Sequence, residues 1–352
     1  MFDKTNKLII IGNGFDLAHG LNTSYKNFLD WYMCKMYNEF CKNNYYGDPL
    51  IEVTNAHNTN PYNLGKYPET SLEVLDFLKS NANYSVKYKS NFFNRIIGLF
   101  HENNWVDVER FYFRLLKGFF SNSDENFRVK AVLSLNKDFD FLIKQLGEYI
   151  KKINMEILEV VKLKADNTSS SFNKIFYNTS DKIKVLNFNY TETVQLQKYA
   201  NDDDIIYIHG RVADEEVNPI IFGYGDESDP VYQNIEDSGE NLYLEHIKSF
   251  GYFKTGNYNK LLSYIDSAPY IVYIVGHSCG LSDRVLLNEI FEHSNCQKID
   301  IFYHIKKDGS DNFKEITQEI SRHFKPHNKN IMRRKILDKN YKNIIPQNIS
   351  KM

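Results

Sequence analysis

Cysteine is scarce in this chain. Its 352 residues hold four, Cys34, Cys41, Cys279 and Cys296, with no C-x-x-C spacing. That argues against a zinc ribbon, leaves no metal site expected, and reads as a reduced, cytoplasmic protein. Long apolar runs are lacking too. None approaches the roughly 18 residues that span a bilayer, so no membrane segment is expected. The first apolar run begins at Leu8, which leaves no room for a signal peptide. Nor is there an excess of one charge: 43 Lys and Arg against 45 Asp and Glu give a net charge of -2, so nucleic-acid binding is not indicated. No internal repeat is present. Aromatics, by contrast, are plentiful, with 25 Tyr and 25 Phe, and a hydrophobic content of 42% is ample for a core. The length suits one elaborated domain or two.

The chain is organised around Lys7 to Leu21, K-L-I-I-I-G-N-G-F-D-L-A-H-G-L. Leu8 to Ile11 form an apolar run without alternation, the pattern of a strand buried on both faces in a parallel sheet. Gly12-Asn13-Gly14 then predicts a tight turn, and Phe15-Asp16-Leu17-Ala18 the start of a helix. Strand, glycine turn and helix start together make a phosphate site, with backbone N–H groups pointing outward. Asp16 would repel a phosphate there, so it faces a ribose or caps the helix. The dinucleotide fingerprint G-x-G-x-x-G is not met, since Leu17 stands where the third glycine belongs. A purely structural turn is the bland alternative.

Residues 24–45 read as an aromatic-rich helix and 46–68 as a loop. From Ser71 to Leu163 apolar residues recur at helical spacing, the last helix running from about Lys137 to Lys164. Residues 165–171, A-D-N-T-S-S-S, read as a linker. Strand signals return at Ile183–Phe188, Ile205–Ile208, Pro219–Gly223, Tyr270–Val275 and Lys298–His304. Helical spacing falls at Tyr258–Ile265, Asp283–His293 and Phe313–His323. Strands alternating with helices predict a parallel sheet with helical crossovers. The organisation expected is a discontinuous core of 1–25 and 180–325, a helical insertion at 26–170, and an irregular, basic tail at 326–352.

Polar residues end several of these strands, at the edge where open α/β sheets bind ligands. Asn187 and Asn189 stand in V-L-N-F-N-Y-T-E-T, where Asn suits sugar hydroxyls; the alternative is a helix cap at Asn189 or Thr191. His209 in I-H-G is a candidate general base, or a loop histidine bonded to backbone. Gly276-His277-Ser278-Cys279-Gly280 matches the G-x-S-x-G nucleophile elbow, with Asp300, His304 and His323 following in a permissible triad order. It also reads as a second nucleotide-binding turn. In N-N-W-V-D-V-E-R, Trp105 and Asp107 suit a helix start, while Trp105 and Glu109 can alternatively reach the cleft. Gly223-Tyr224-Gly225-Asp226 lines the cleft or is a turn.

Taken in order, L-I-I-I-G-N-G-F-D-L-A-H-G-L, W-V-D-V-E, N-F-N-Y-T-E-T, I-H-G and G-H-S-C-G-L-S-D resemble the AbiH family of bacteriophage abortive-infection proteins. The same set resembles, distantly, the sirtuin-type NAD-binding fold. Gly12-Asn13-Gly14-Phe15-Asp16 with His19-Gly20-Leu21-Asn22 stands where sirtuins have G-A-G-x-S and S-G-I-P. Asn187 to Thr191 matches T-Q-N-x-D, His209-Gly210 the H-G of the general base, and Gly276-His277-Ser278 the G-T-S of the adenosine side. The departures are Asp16 for serine, Thr191 for aspartate, no four-cysteine module, and a long helical block.

The resemblance implies a sirtuin-like, Rossmann-type α/β sheet flanked by helices. It implies phage defence with hydrolysis of NAD, as substrate, to nicotinamide and ADP-ribose, not deacetylation. Asn189 would orient the ribose or a water and His209 would act as base, with Glu109 as a further catalytic candidate. Gly12, Asn13, Gly14, Phe15, Asp16, Gly20, Asn187, Gly276, His277, Ser278 and Asp283 would bind the nucleotide. A phage-derived trigger and a homo-oligomer are compatible partners. The competing readings are a silent nucleotide or ADP-ribose sensor and a serine hydrolase built on Ser278.

Overall fold

The computed structural model describes residues 5–56, 68–103, 107–163, 172, 175, 176 and 182–345. Among them are eight strands: β1 (Asn6–Ile11), β2 (Tyr45–Gly47), β3 (Ile51–Asn55), β4 (Tyr84–Tyr88), β5 (Ile183–Asn187), β6 (Ile205–Tyr207), β7 (Tyr270–Val275) and β8 (Cys296–Phe302). The chain divides into two units. Met1–Thr23, Ile150–Gln233 and Ile247–Met352 make one; Ser24–Tyr149 and Asn234–His246 make the other.

The first unit is built on a five-stranded sheet in the order β6-β5-β1-β7-β8, every pair parallel. β1 lies at its centre because Leu8 to Ile11 are wholly buried on both faces. Alternate residues feed two cores. Leu8 and Ile10 pack with Leu186, Val272, Ile274 and Ile299 against the helices Asn257–Ser267, Arg284–Glu292 and Phe313–His323. Ile9 and Ile11 pack with Val185 and Val275 against Phe15, Phe172 and Tyr199. The chain builds outward from β1 through β5 to β6, then crosses back to β7 and β8. The reversal of strand order therefore falls between β1 and β7, the position where open parallel sheets form a crevice at their carboxyl ends.

The second unit holds the helices Tyr25–Asn43, Ser71–Ser80, Asn91–Asn103 and Val108–Phe120. Ser24, Thr70 and Asp107 cap three of them through side-chain oxygens, which satisfies exposed N–H groups of the first turn. The long helix Glu125–Leu163 runs across the division between the units.

Some expectations need correction. The loop expected at 46–68 contains β2 and β3, and β4 interrupts the helical block; together they form a small antiparallel sheet β2-β3-β4. Tyr84–Tyr88 alternates between half-buried and exposed positions, the mark of a surface strand. Pro219–Gly223 is not a strand: it joins neither sheet, and only the following Tyr224 makes a single bridge, to Ile247. After residue 326 the chain is not wholly irregular. It forms the helix Lys329–Lys335 and parallel bridges from Ile336 and Ile344 to Ile299 and Tyr303. Lys335 Nζ donates to the carbonyls of Phe291 and His293, both at 2.8 Å, closing the carboxyl end of a neighbouring helix. Trp105 and the linker at 165–171 lie outside the described residues.

Candidate functional site

The turns after β1 and β7 interlock. Gly12 N–H donates to Val275 O at 3.2 Å, and Gly14 N–H to Gly276 O at 2.8 Å. A Cβ on Gly12 would lie 2.6 Å from the Cα of His277, and one on Gly276 would lie 2.2 Å from the nitrogen of Phe15. Gly276 also holds φ at 72°, a conformation open to glycine. So the close approach these glycines permit is made to one another. The N–H groups of Gly12, Gly14 and Phe15, expected to point outward, are all bonded to protein carbonyls. Asn13 and Ser278 are the exposed side chains of the two turns.

Phe15 is a core residue, wholly buried against His19, Phe172 and Tyr199, because its ring faces the Ile9 side of the sheet. Gly20, at φ 78°, ends the short helix Asn13–Ala18.

The loop after β5 lies against the first turn. Asn187 is buried and shapes this loop: its Oδ1 accepts from Asn189 N–H at 3.0 Å, and its Nδ2 donates to Thr191 O at 3.2 Å. Asn189 Nδ2 donates to Gly12 O at 3.1 Å. Thr191 Oγ1 donates to Asp16 Oδ2 at 2.6 Å, leaving buried Asp16 Oδ1 without a partner. Burial without a cation raises the Asp16 carboxyl to about 6, although hydroxyls of Thr191 and Thr193 pull the other way. Asp16 does not cap its helix; it holds the β5 loop. The expected cap at Asn189 or Thr191 is absent, since the next helix, Thr193–Leu196, has Glu192 at its N-cap and no side-chain cap.

His209, ending the segment after β6, meets Asp283 and Lys248 in a buried cluster. Lys248 Nζ lies 2.8 Å from Asp283 Oδ1, and His209 Nε2 lies 3.2 Å from the same oxygen. The imidazole is close enough to bond but not aligned for it, so Nε2 has no hydrogen-bond partner. His277 Nε2 stands 3.6 Å from the other oxygen. Its Nδ1 accepts from Cys279 N–H at 3.0 Å, which places its proton on Nε2, toward the carboxylate. Phe188 packs against both histidine rings, with centroids at 5.0 and 4.2 Å, and Tyr252 stacks on His209 at 6.3 Å.

Burial pushes His209 down to about 4; the Lys248 charge acts in the same direction and Asp283 opposes it. His209 is thus neutral at pH 7. Burial by itself would raise Asp283, but Lys248 and His209 outweigh it and hold the carboxyl well below the usual carboxylate range. Contacts therefore run from Asn189 to Gly12, from Gly12 to His277, and from His277 through Asp283 to His209. Four loops far apart in sequence meet at one edge of the sheet.

Sequence reasoning missed Lys248. A lysine in H-I-K-S-F reads as a solvated charge, and only tertiary packing buries it. Tyr224 places it, accepting from Lys248 N–H at 3.0 Å, so the G-Y-G-D segment supports the cluster. Asp226 of that segment pairs with Arg284 at 3.2 Å. Also missed were Asn154 and Arg211, which hold Glu192 and so brace the β5 loop. Glu109 lies in the second unit, buried in the first turn of Val108–Phe120.

The triad of a serine hydrolase is not assembled. Positive φ in the elbow falls on Gly276 and Cys279, not on Ser278. Asp300 is bonded to Asn343, and His323 Nε2 to the carbonyl of Cys279. Among the described residues no hydrogen bond joins Ser278 to a histidine. Nor does any group of three or more His, Cys, Asp and Glu among them form a metal-holding set; the Lys248 ammonium already occupies Asp283 Oδ1. An open cleft of about 650 Å³ lies between Lys182, Tyr207, Arg211, Lys260 and Tyr264, and takes in none of His209, Lys248, His277 and Asp283.

A Rossmann-like α/β sheet with a buried His–Asp–Lys cluster at its carboxyl edge defines the class of this protein. The family model for bacteriophage abortive infection AbiH matches residues 8–305, and the chain belongs to that family. No curated protein and no solved structure matches it, so the likeness to sirtuins rests on the motifs alone. Among the described residues no helix is long and apolar enough to cross a membrane.

Proposed function

We propose that this AbiH protein defends against phage by hydrolysing NAD. The reaction is NAD plus water giving nicotinamide, ADP-ribose and a proton. One observation supports this reading above the others: the meeting of the Asn189, His209, Gly12 and Gly276 loops where the strand order reverses. The glycosidic bond breaks with its electron pair leaving on nicotinamide, and the ribose passes through a cation-like state. Neutral His209 takes a proton from the attacking water or a ribose hydroxyl. Asn189, pinned to Gly12 O, positions the ribose at a fixed height above the sheet. Because the N–H groups of Gly12, Gly14 and Phe15 are spent, the pyrophosphate lies over the exposed side chains of Asn13 and Ser278. Gly276 and His277 shape the adenosine side, and Glu109 is given no step.

The test is direct. Purified protein is incubated with NAD, and nicotinamide is followed by chromatography. Wild type releases it, and His209→Ala releases at least about 100-fold less while keeping its circular dichroism, as expected for loss of a general base. Tight nucleotide binding with no release under any condition would favour the sensor reading.

A further inference from the structure

Two cationic or potentially cationic groups compete for one oxygen in this site. Lys248 Nζ and His209 Nε2 both approach Asp283 Oδ1, and the lysine holds the aligned position. A histidine base works best when a carboxylate bonds its far nitrogen, fixing tautomer and ring orientation and stabilising the imidazolium that forms. Here the oxygen that His209 Nε2 reaches at 3.2 Å is shared with Lys248 Nζ, which is nearer at 2.8 Å. The titratable groups facing His209 are Lys248, Asp283 and His277.

The place of Lys248 in the chain adds a second observation. Residues Asn234–His246 belong to the helical unit, and the chain returns to the sheet unit at Ile247. The helical unit holds this segment firmly. Asn136 Nδ2 donates to Leu242 O at 2.9 Å, Tyr243 packs on Phe120 at 5.3 Å, and His246 sits against Phe139 and Tyr112 at 4.9 and 5.5 Å, with Asp140 at 3.4 Å. Only Ile247 separates His246 from Lys248.

We infer that Lys248 is an autoinhibitory contact: it keeps Asp283 from His209, and the helical unit, through its hold on 234–246, controls whether the lysine stays. With Lys248 in place the base is neutral and unoriented. When the segment shifts, Asp283 Oδ1 passes to His209 Nε2, and an oriented Asp–His pair forms. Lys248 is a positioning residue, and the inference rests on His209 being the base of the proposed reaction.

The experiment reads His209 itself. Full-length protein is labelled with ¹³C at histidine Cε1 and titrated by NMR, His209 being assigned by its loss in His209→Gln. Three variants are compared with wild type: Lys248→Met at the contact, and Asp140→Ala and His246→Ala in the helical unit, which leave every residue of the cluster intact. In Lys248→Met the midpoint of His209 rises by at least about one pH unit, the scale expected when an opposite charge comes within reach. His246→Ala moves it in the same direction, and basal nicotinamide release rises several-fold in both. An unchanged His209 midpoint in Lys248→Met overturns the inference. So does a shift in Lys248→Met with none in either helical-unit variant, since control by that unit would then be lost. If the midpoints move as expected but no variant releases nicotinamide, the coupling stands and the NAD reading falls.

Discussion

Asp16 shows how one residue can set the chemistry of a turn. A buried carboxylate with no cation beside it, held only by neutral side chains, is costly to ionise. Its folded value of about 6 lies above the 3.8 it has when exposed, so the folded state binds the proton more tightly. The stability this adds is fully present below pH 3.8 and is lost as pH rises through 6. At ~1.4 kcal/mol per pH unit the whole swing is about 3 kcal/mol. Asp16→Asn, which cannot ionise, therefore gains on wild type by up to about that amount between pH 4 and pH 8. Urea melts at four pH values measure it, and a stability difference that stays flat across the window removes the buried ionisation. The same residue accounts for a gap in sequence reasoning. Of the two roles expected for Asp16, facing a ribose or capping its helix, the cap is not formed, and its hydrogen-bond partner Thr191 lies 175 positions away. The two positions that break the sirtuin pattern, Asp16 and Thr191, are joined by one hydrogen bond, which neither reveals in isolation.

Among the elements, the interlocked turns after β1 and β7 are the most constrained. A Cβ on Gly276 would strike the backbone of Phe15 and Gly14, at 2.2 and 2.6 Å, and the residue would also keep a positive φ. Backbone atoms cannot move aside as a flexible side chain can. Gly276→Ala should cost more than about 2 kcal/mol, from left-handed strain plus the clash. Gly98, inside the helix Asn91–Asn103 with open space around it, supplies the contrast: Gly98→Ala should gain about 0.5–1 kcal/mol. Thermal melts of the two variants that moved the same way would contradict the interlock. Uninterrupted apolar runs were the elements legible beforehand. Leu8–Ile11 read as a strand buried on both faces and Tyr270–Val275 as the next strongest strand, because nothing polar interrupts either run; both lie in the sheet, although Ile271 and Tyr273 are only half-buried. β2, β3 and β4 were not legible, since short surface strands such as Tyr84–Tyr88 take part of their order from cross-strand partners. At the site, His209, Asn189 and His277 were visible as polar residues after apolar runs, and Asp283 through the family motif G-H-S-C-G-L-S-D. Lys248 was not, because no local pattern announces a lysine buried by a neighbour 35 positions on.

For the molecule as a whole, the acid response should be carried by the sheet unit. His209 and His323 are both buried there, each pushed by burial to about 4 from an ordinary 6.5. A depressed histidine leaves the unfolded chain as the better proton acceptor. The stability each supports is complete above pH 6.5 and is lost progressively as pH falls to 4, by up to about 3 kcal/mol apiece. Asp16 works in the opposite direction over nearly the same window and offsets about one of the two. Asp283, held low by Lys248, adds its own loss only below 3.8. The net outcome is a sheet unit weakened by roughly 3 kcal/mol between pH 6.5 and pH 4. In the helical unit, His101 is pushed in the same direction by burial, but it is mostly solvated and its effect is screened. Unfolding that is a single transition at pH 7.5 should therefore split near pH 4.5, the first step reporting the sheet unit. Hydrogen exchange at the two pH values identifies the step: amides of β1, β5 and β7 lose protection first, before those of Tyr25–Asn43 and Val108–Phe120. His323→Gln, which removes one depressed histidine at a distance from His209, should narrow the separation. If the helical amides open first at pH 4.5, acid lability belongs to the other unit and the two histidines do not set it.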